Sequence, residues 1–377
     1  MRILIATDSF KESLSAIEVA DSIESGILHF RKDVDCVKIP LADGGEGTVE
    51  AVLNAVGGSK IPVRVKDPLM RDIDGFWGQL PDKKTAILEM AVSSGLERLT
   101  HKERNPLITT TYGTGQLIRS ALDRGCTKIF IGIGGSATND GGAGMARALG
   151  AKLLNSSGIE IGDGGLYLAD LSKIDLSGLD TRIRDCEIIV ISDVQNPLCG
   201  KNGASFIYGP QKGADPEMVK RLDRNLMHFG NILESHFMNN IIEVPGAGAA
   251  GGLGAGLYAF CHAILRPGFE TIADIVGLEE AIMETDLVIT GEGKLDYQTK
   301  FGKVPFGVAR MANKYKKPVI GIAGALGKGY QELYNLGFQS IFSISEQPGS
   351  LNKSLRNAKS LLFSASERII RLISIDI

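Results

Sequence analysis

The chain has 377 residues, 44% hydrophobic and 23% charged, the mix of an ordinary globular protein. Its 41 basic and 44 acidic side chains nearly cancel and form no basic run, which excludes the charged stripe of a nucleic-acid binder. The length admits two domains, and no apolar run approaches a membrane span.

In chain order, the first apolar run, Arg2–Ala6, empties into Thr7-Asp8-Ser9-Phe10-Lys11. Open α/β sheets bind ligands at such strand ends, and Lys11 at a first turn can reach an anion. Ser15-x-x-Glu18 is a capping box. It opens a helix whose Ile17, Ala20, Ile23 and Ile27 recur at helical spacing. A second run, Cys36–Leu41, ends in Asp43-Gly44-Gly45-Glu46-Gly47-Thr48, and a helix over Val49–Ala55 follows. Strands are expected at Phe76–Leu80 and Thr85–Met90. Thr109–Gly115 is a threonine-rich corner before a helix, either an anion cradle or only an N-cap.

The strand Lys128–Ile133 leads into the richest corner, Gly132–Gly142, and then into helix-like Ala143–Leu149. Five glycines beside Ser136, Thr138, Asn139 and Asp140 exceed what a plain turn needs. Their backbone N–H groups can approach an anion, and a following helix adds positive potential. Further strands are expected at Glu187–Ser192, before Asp193-Val194-Gln195-Asn196-Pro197, and at Ser205–Tyr208. Ile241–Val244 precedes a glycine run and the helical Leu253–Leu265. Then come a helix over Thr271–Met283 and a strand, Leu287–Thr290, before Gly291-Glu292-Gly293-Lys294-Leu295-Asp296. A helix Phe306–Tyr315, strands Val319–Ala323 and Ser340–Ile344, and a helix Ser354–Leu372 complete the chain.

Strands alternating with helices argue for a doubly wound parallel sheet. It draws on both chain ends, roughly residues 1–60 and 266–377. Residues 61–265 are expected to form an inserted mixed α/β domain, with the active site in the inter-domain cleft. The five cysteines are scattered with no C-x-x-C pair, so reduced thiols are expected. Met1–Ala6 is too short for a secretory apolar region, and a cytoplasmic protein is expected.

A phosphate-handling enzyme needs anion donors, a magnesium ligand and a base near its nucleophile. Asp193 can ligate Mg²⁺ or accept a hydroxyl proton. Glu292 and Asp296 can act as a metal or base pair, and Lys294 can neutralise phosphate oxygens. Gly134, Gly135, Ser136, Thr138 and Asn139, with Gly291 and Gly293, are the phosphate or nucleotide candidates. Asp43, Glu46, Arg71 and Asn196 are the substrate candidates, with Lys11, Arg71 and Lys294 as the cations for a substrate carboxylate. Plain turns and solvated loops are the competing explanations for each corner.

Gly246-x-Gly248-x-x-Gly251 matches the dinucleotide fingerprint, and Gly132-x-Gly134-x-x-Ala137 its relaxed form. Neither is followed by an acidic residue ending a second strand, so a nicotinamide site is disfavoured. No Walker A loop, zinc spacing or G-x-S-x-G elbow occurs.

Taken together, Asp8-Ser9-Phe10-Lys11, Pro40-x-Ala42-Asp43-Gly44-Gly45-Glu46-Gly47-Thr48, Gly132–Gly142, Asp193–Gly200, Gly209-Pro210-Gln211-Lys212-Gly213, Gly246–Gly254 and Gly291–Asp296 resemble the motifs of bacterial type I glycerate kinases. Glu89-Met90-Ala91, Ser94-Gly95-Leu96, Arg104-Asn105-Pro106-Leu107 and Gly302-Lys303 extend the resemblance over almost the whole chain. It implies ATP- and Mg²⁺-dependent phosphorylation of D-glycerate, the 2-hydroxyl favoured over the 3-hydroxyl. It also implies two unlike α/β domains, one flavodoxin-like and split in sequence, the other inserted. Glu12 stands where the family often has glycine, and Met70 interrupts a segment that usually reads Pro-Leu-Gly; both departures concern local backbone shape. The rival readings are an NAD-linked hydroxy-acid dehydrogenase and a non-catalytic small-anion sensor.

Overall fold

The computed structural model describes residues 1–42, 44–300, 303–347 and 349–375. Among them the strands are β1 (Arg2–Ile5), β2 (Asp35–Lys38), β3 (Ser59–Lys66), β4 (Asp72–Gln79), β5 (Thr85–Glu89), β6 (Lys128–Gly132), β7 (Lys152–Leu154), β8 (Lys173–Asp175), β9 (Glu187–Ile191), β10 (Ile264–Arg266), β11 (Leu287–Leu295), β12 (Val319–Leu326) and β13 (Ser340–Ser343). The α-helices are α1 (Ala16–Phe30), α2 (Thr48–Val56), α3 (Ala91–Ser94), α4 (Tyr112–Asp123), α5 (Ala143–Ala148), α6 (Ala204–Tyr208), α7 (Pro216–Phe237), α8 (Ala249–Cys261), α9 (Gly268–Val276), α10 (Leu278–Met283), α11 (Val304–Lys314) and α12 (Leu351–Ile373). They fall into two compact units. Unit 1 comprises Met1–Asp43, Glu50–Gly57 and Gly268–Ile377; unit 2 comprises Gly44–Val49 and Gly58–Pro267.

Unit 1 is built on an all-parallel sheet in the order β2-β1-β11-β12-β13. Counted within the sheet this is 2-1-3-4-5, the flavodoxin-like order, whose switch point lies between its first and third strands. Here that is the β1–β11 pair, in register at Ile5 and Ile289. Strands buried on both faces read as apolar runs, as β1 and the first half of β11 do. The Ser15–Glu18 capping box is formed and starts α1. Val19, Ile23 and Ile27 of α1 share one core cluster with Leu362, Ala365 and Ile369 of α12. Gly26 permits the close crossing, since a Cβ there would stand 2.3 Å from the Phe363 carbonyl oxygen.

Unit 2 carries a mixed sheet, β10-β9-β6-β5-β4-β3, parallel from β10 to β5 and antiparallel across β5-β4-β3. A separate antiparallel pair, β7-β8, completes its strands. The apolar cores of β5, β6 and β9 meet Leu117, Ile118, Met145, Phe229 and Phe260 in one large cluster. The parallel strands end in Glu89, Gly132 and Ile191, so the corners after β5, β6 and β9 lie at one edge of the sheet.

Several local expectations change. Ser205–Tyr208 lies in the short helix α6, not a strand; four apolar-looking residues cannot distinguish the two by periodicity. Thr271–Met283 is two helices, because Gly277 takes a left-handed φ of 65° between α9 and α10. The helix expected to reach Leu265 stops at Cys261, where His262 has φ 51°, and Ile264 and Leu265 pair in β10. Ile241–Val244 is a turn, so the Gly246–Gly251 fingerprint follows no strand.

Candidate functional site

In unit 1 the candidate groups gather at the carboxyl ends of β1 and β11. The Asp8 N–H donates to the Gly291 carbonyl at 2.9 Å, tying the two corners together. Asp8 is buried, and its carboxylate accepts from the Ser9 N–H at 2.6 Å. Gly291 has no room for a side chain, since a Cβ would lie 1.9 Å from the Ile322 carbonyl oxygen. Gly293 sits beside the Phe10–Lys11 backbone in ordinary contact, and Lys11 is exposed.

Two lysine–carboxylate pairs follow along the extended end of β11. Glu292 accepts from Lys303 Nζ at 2.9 Å and from Thr299 Oγ1 at 3.0 Å. Burial pushes its carboxyl up, against the opposing pull of Lys303, Thr299 and the charge of Lys11. Asp296 binds Lys294 Nζ at 2.9 Å and the Gln298 N–H at 2.9 Å. Burial would raise Asp296, but these bonds and the charges of Lys294 and Lys303 outweigh it and hold it below the usual carboxylate range. Asp296 is thus a fixed anion with an exposed ammonium, Lys294, alongside.

In unit 2 the glycine-rich corner after β6 is the centre of a polar assembly. Gly44 and Gly45 pack on it so closely that a Cβ on Gly132 would stand 2.3 Å from the Gly44 carbonyl oxygen. From the other side, the Leu96 N–H donates to the Gly135 carbonyl at 2.8 Å and the Ala137 N–H to the Ser94 carbonyl at 2.9 Å. Gly134 and Gly135 are exposed, while Ser136, Thr138 and Asn139 are buried. Thr138 Oγ1 and Asn139 Oδ1 are buried with no hydrogen-bond partner in the protein, and buried polar atoms of this kind call for one.

Asp140 fixes the turn from beneath. Its fully buried carboxylate accepts from Thr111 N–H (2.8 Å), Thr111 Oγ1 (2.9 Å), Gly142 N–H (3.2 Å) and Gly144 N–H (3.2 Å). Burial pushes this carboxyl up, and those donors oppose the shift. The Thr109–Thr111 corner is therefore the clamp of the glycine turn, with Thr109 Oγ1 also donating to the Ala137 carbonyl at 2.9 Å. Glu89, buried at the end of β5, accepts from the Gly47 and Val49 N–H groups at 3.2 and 2.6 Å and so holds the Gly44–Thr48 corner.

The remaining candidates are dispersed. Asp193 is exposed at the end of β9, and Glu46 is exposed in its corner. Asn196 is engaged in its own loop, donating to the Asn202 carbonyl at 2.7 Å and accepting from Tyr208 OH at 2.8 Å. Arg71 commits its guanidinium to Asp67, Glu103 and the Arg98 carbonyl. Asp43 and Gly302 lie outside the described residues. Four engaged residues had no assigned role at the level of sequence: Glu89, Asp140, Lys212 and Lys303. Lys212 and Lys303 each stand next to glycine in the motifs quoted above, which was the available signal.

The glycines from 246 to 256 have a packing explanation. A Cβ on Gly251 would lie 2.0 Å from the Thr138 carbonyl oxygen, and one on Gly256 2.5 Å from that of Gly141. They let α8 pass directly against the Ser136–Gly142 turn, so the fingerprint spacing reflects close backbone approach rather than a dinucleotide cradle.

Two α/β units with polar, glycine-lined strand ends suit a ligand-handling enzyme, and comparison with known proteins gives its class, a kinase. A model of the glycerate kinase family matches residues 3–374. The chain is 50% identical to Glycerate 2-kinase of Escherichia coli strain K12 over 375 residues, covering 100% of this chain and 98% of the relative. It is 47% identical to Glycerate kinase of Halalkalibacterium halodurans, over 97% of each. A crystal structure of the Salmonella typhimurium LT2 protein that carries the name glycerate kinase 2 superposes with a TM-score of 0.89. Identity to it is 49%, over 99% of this chain and 98% of that one. The chain belongs to the glycerate kinase family.

Proposed function

We propose that this enzyme transfers the γ-phosphate of ATP to a hydroxyl of D-glycerate, the 2-hydroxyl in preference to the 3-hydroxyl. The observation that carries the reading is the end-to-end match at 50% identity to a protein named Glycerate 2-kinase. The exposed Gly134–Gly135 backbone and the Ser136–Asn139 turn hold phosphate oxygens, and the Gly291–Gly293 segment borders the nucleotide. Lys11 and Lys294 are exposed cations for the glycerate carboxylate and for charge developing on the transferred group. Arg71, being fully engaged, supports its own loop instead.

Among the described residues no three His, Cys, Asp or Glu side chains cluster as a metal group. Magnesium carried by nucleotide phosphates needs only one or two protein carboxylates, so the donor set still suits it. Asp193 offers hard oxygen donors at an exposed strand end. Glu292 would ligate only after Lys303 and Thr299 released its oxygens. When bound, magnesium neutralises phosphate charge. Asp193 is the first choice for holding it or for accepting the hydroxyl proton, with Asp296 second. The free cysteines, all five of them, accord with a reducing, cytoplasmic setting.

A coupled ADP-release assay over a panel of small hydroxy acids tests the activity, and phosphorus NMR of the product distinguishes the two hydroxyls. D-glycerate is expected to turn over fastest and to yield 2-phosphoglycerate. Asp193→Ala is expected to lower kcat at least about 100-fold with an unchanged unfolding midpoint. Near-normal turnover in that variant would remove Asp193 from the chemistry.

A further inference from the structure

Lys212 has no part in the mechanism above, yet it is 1% exposed. It sits on the turn Pro210–Lys212, closed by Gly213 at φ 93°. Its Nζ donates to Ser136 Oγ at 2.7 Å and to the Thr138 carbonyl at 2.6 Å. Among the described residues it makes no ion pair, and an ammonium has a third donor to place. Both contacts are on the turn whose Thr138 Oγ1, a hydroxyl able to donate, is also buried without a partner. Ser136 Oγ uses a lone pair to accept from Lys212, so its own hydrogen is free to point outward as a donor.

We propose that Lys212 is the buried counter-charge for a nucleotide phosphate seated on the Ser136–Asn139 turn, acting through the Ser136 hydroxyl as Nζ–H to Oγ–H to phosphate oxygen. This rests on the reading of that turn as the phosphate site. Binding of the anion and protonation of Lys212 are then coupled. Burial holds the Lys212 ammonium down at about 7, with the charge of Asp140 pulling upward. Asp140, from the turn after β6, is the charged group acting on it. Arg104 lies on the segment against neighbouring Gly213, whose Cβ would stand 2.3 Å from the Arg104 carbonyl oxygen, and its Nε is buried without a partner. Helix α7 brings the apolar Val219 against Gly209 of the same turn.

The sign follows directly. Below about pH 7 the ammonium is present before the anion arrives; above it, binding must draw a proton in. Calorimetric titration with magnesium ADP at pH 8, in two buffers of different ionisation enthalpy, should show uptake approaching about 0.9 proton per site. ADP should weaken about 25-fold between pH 7.5 and 9. K212M should abolish the uptake and weaken ADP at least about tenfold at pH 7.5. K212R should keep most of the affinity without uptake, and melting curves report whether both variants fold. The wild-type titrations need no variant: absent uptake with flat affinity overturns the coupling of protonation to binding, and unchanged ADP affinity in K212M overturns the role of Lys212. If S136A weakens ADP while K212M does not, the turn keeps its anion and Lys212 loses its part. If neither S136A nor K212M affects ADP although D-glycerate is still phosphorylated, the turn itself is misassigned and this proposal falls with it.

Discussion

Glu12 and Met70 both have a backbone φ of 64°, in the left-handed region that favours glycine. Glu12 is the tip of a turn in which Phe10 and Leu14 exchange backbone hydrogen bonds. Met70 is the tip of another, where the Asp67 carboxylate accepts from the N–H groups of Leu69 and Arg71 at 2.8 and 2.9 Å. The resemblance implies glycine at both positions, and the left-handed backbone at Glu12 and Met70 is the one that glycine suits best. A Cβ in this conformation costs about 1–2 kcal/mol, part of which glycine returns through the flexibility of its unfolded chain. Glu12→Gly and Met70→Gly are each expected to stabilise the protein by about 0.5–1 kcal/mol, measured by urea unfolding. Destabilisation by either would mean that the side chain contributes contacts worth more than the strain. Single residues were otherwise legible where a strand end announced them, as at Asp8, Ser136 and Asp296. Glu89 and Lys303 were not, because their importance is a set of distant hydrogen-bond partners that spacing along the chain does not display.

At the scale of elements, alternation of apolar runs and helical spacing was enough to locate the strands that end in polar corners: β1, β5, β6, β9 and β11. What escaped was governed by contacts rather than period. Helix α7 begins with Asp215 as N-cap and Pro216 in its first turn and carries Val219, Leu222, Leu226, Phe229 and Leu233 on its buried face. Those signals are present in the sequence, but the flanking glycine motifs dominate the region. Helix α8 shows the stronger override. Ala250, Gly251 and Gly252 all have positive φ inside it, at 54°, 69° and 88°, and the resulting kink lets the Gly251 carbonyl accept from the Gly141 N–H at 3.0 Å. An apolar, glycine-rich run gives no hint of that bend. Gly251→Ala combines a left-handed backbone with a Cβ 2.0 Å from the Thr138 carbonyl oxygen. It is expected to cost about 3 kcal/mol or more and to weaken nucleotide binding by shifting the Thr138–Asn139 turn. Urea unfolding and ADP titration read the two effects. An unperturbed variant would mean that α8 does not brace that turn.

At the scale of the whole molecule, the two units differ in how the chain supplies them. In unit 1, β1 lies between β2 and β11, partners separated by about the whole of unit 2 in sequence, so its sheet cannot be completed from either chain end alone. The unit 2 sheet has no such dependence, although the unbroken stretch that spans it also carries Glu50–Gly57 of unit 1. Residues 44–267 hold every strand of its six-stranded sheet, the Gly47 and Val49 N–H groups that bind Glu89, and all the donors to Asp140. A fragment of these 224 residues has the size and the contiguous core of an autonomous domain. It also contains the chain's single tryptophan, Trp77, fully buried with its indole N–H on Ser120 Oγ at 3.0 Å. The fragment 44–267 is therefore expected to emit at the short wavelength of a buried indole and to lose that emission in one cooperative urea transition. The fragment 1–57, holding β1 and β2 without β11, is expected to show no cooperative transition by circular dichroism. Emission from 44–267 at the wavelength of a solvated indole, with no transition in urea, would show that unit 2 takes part of its folding energy from residues outside those limits.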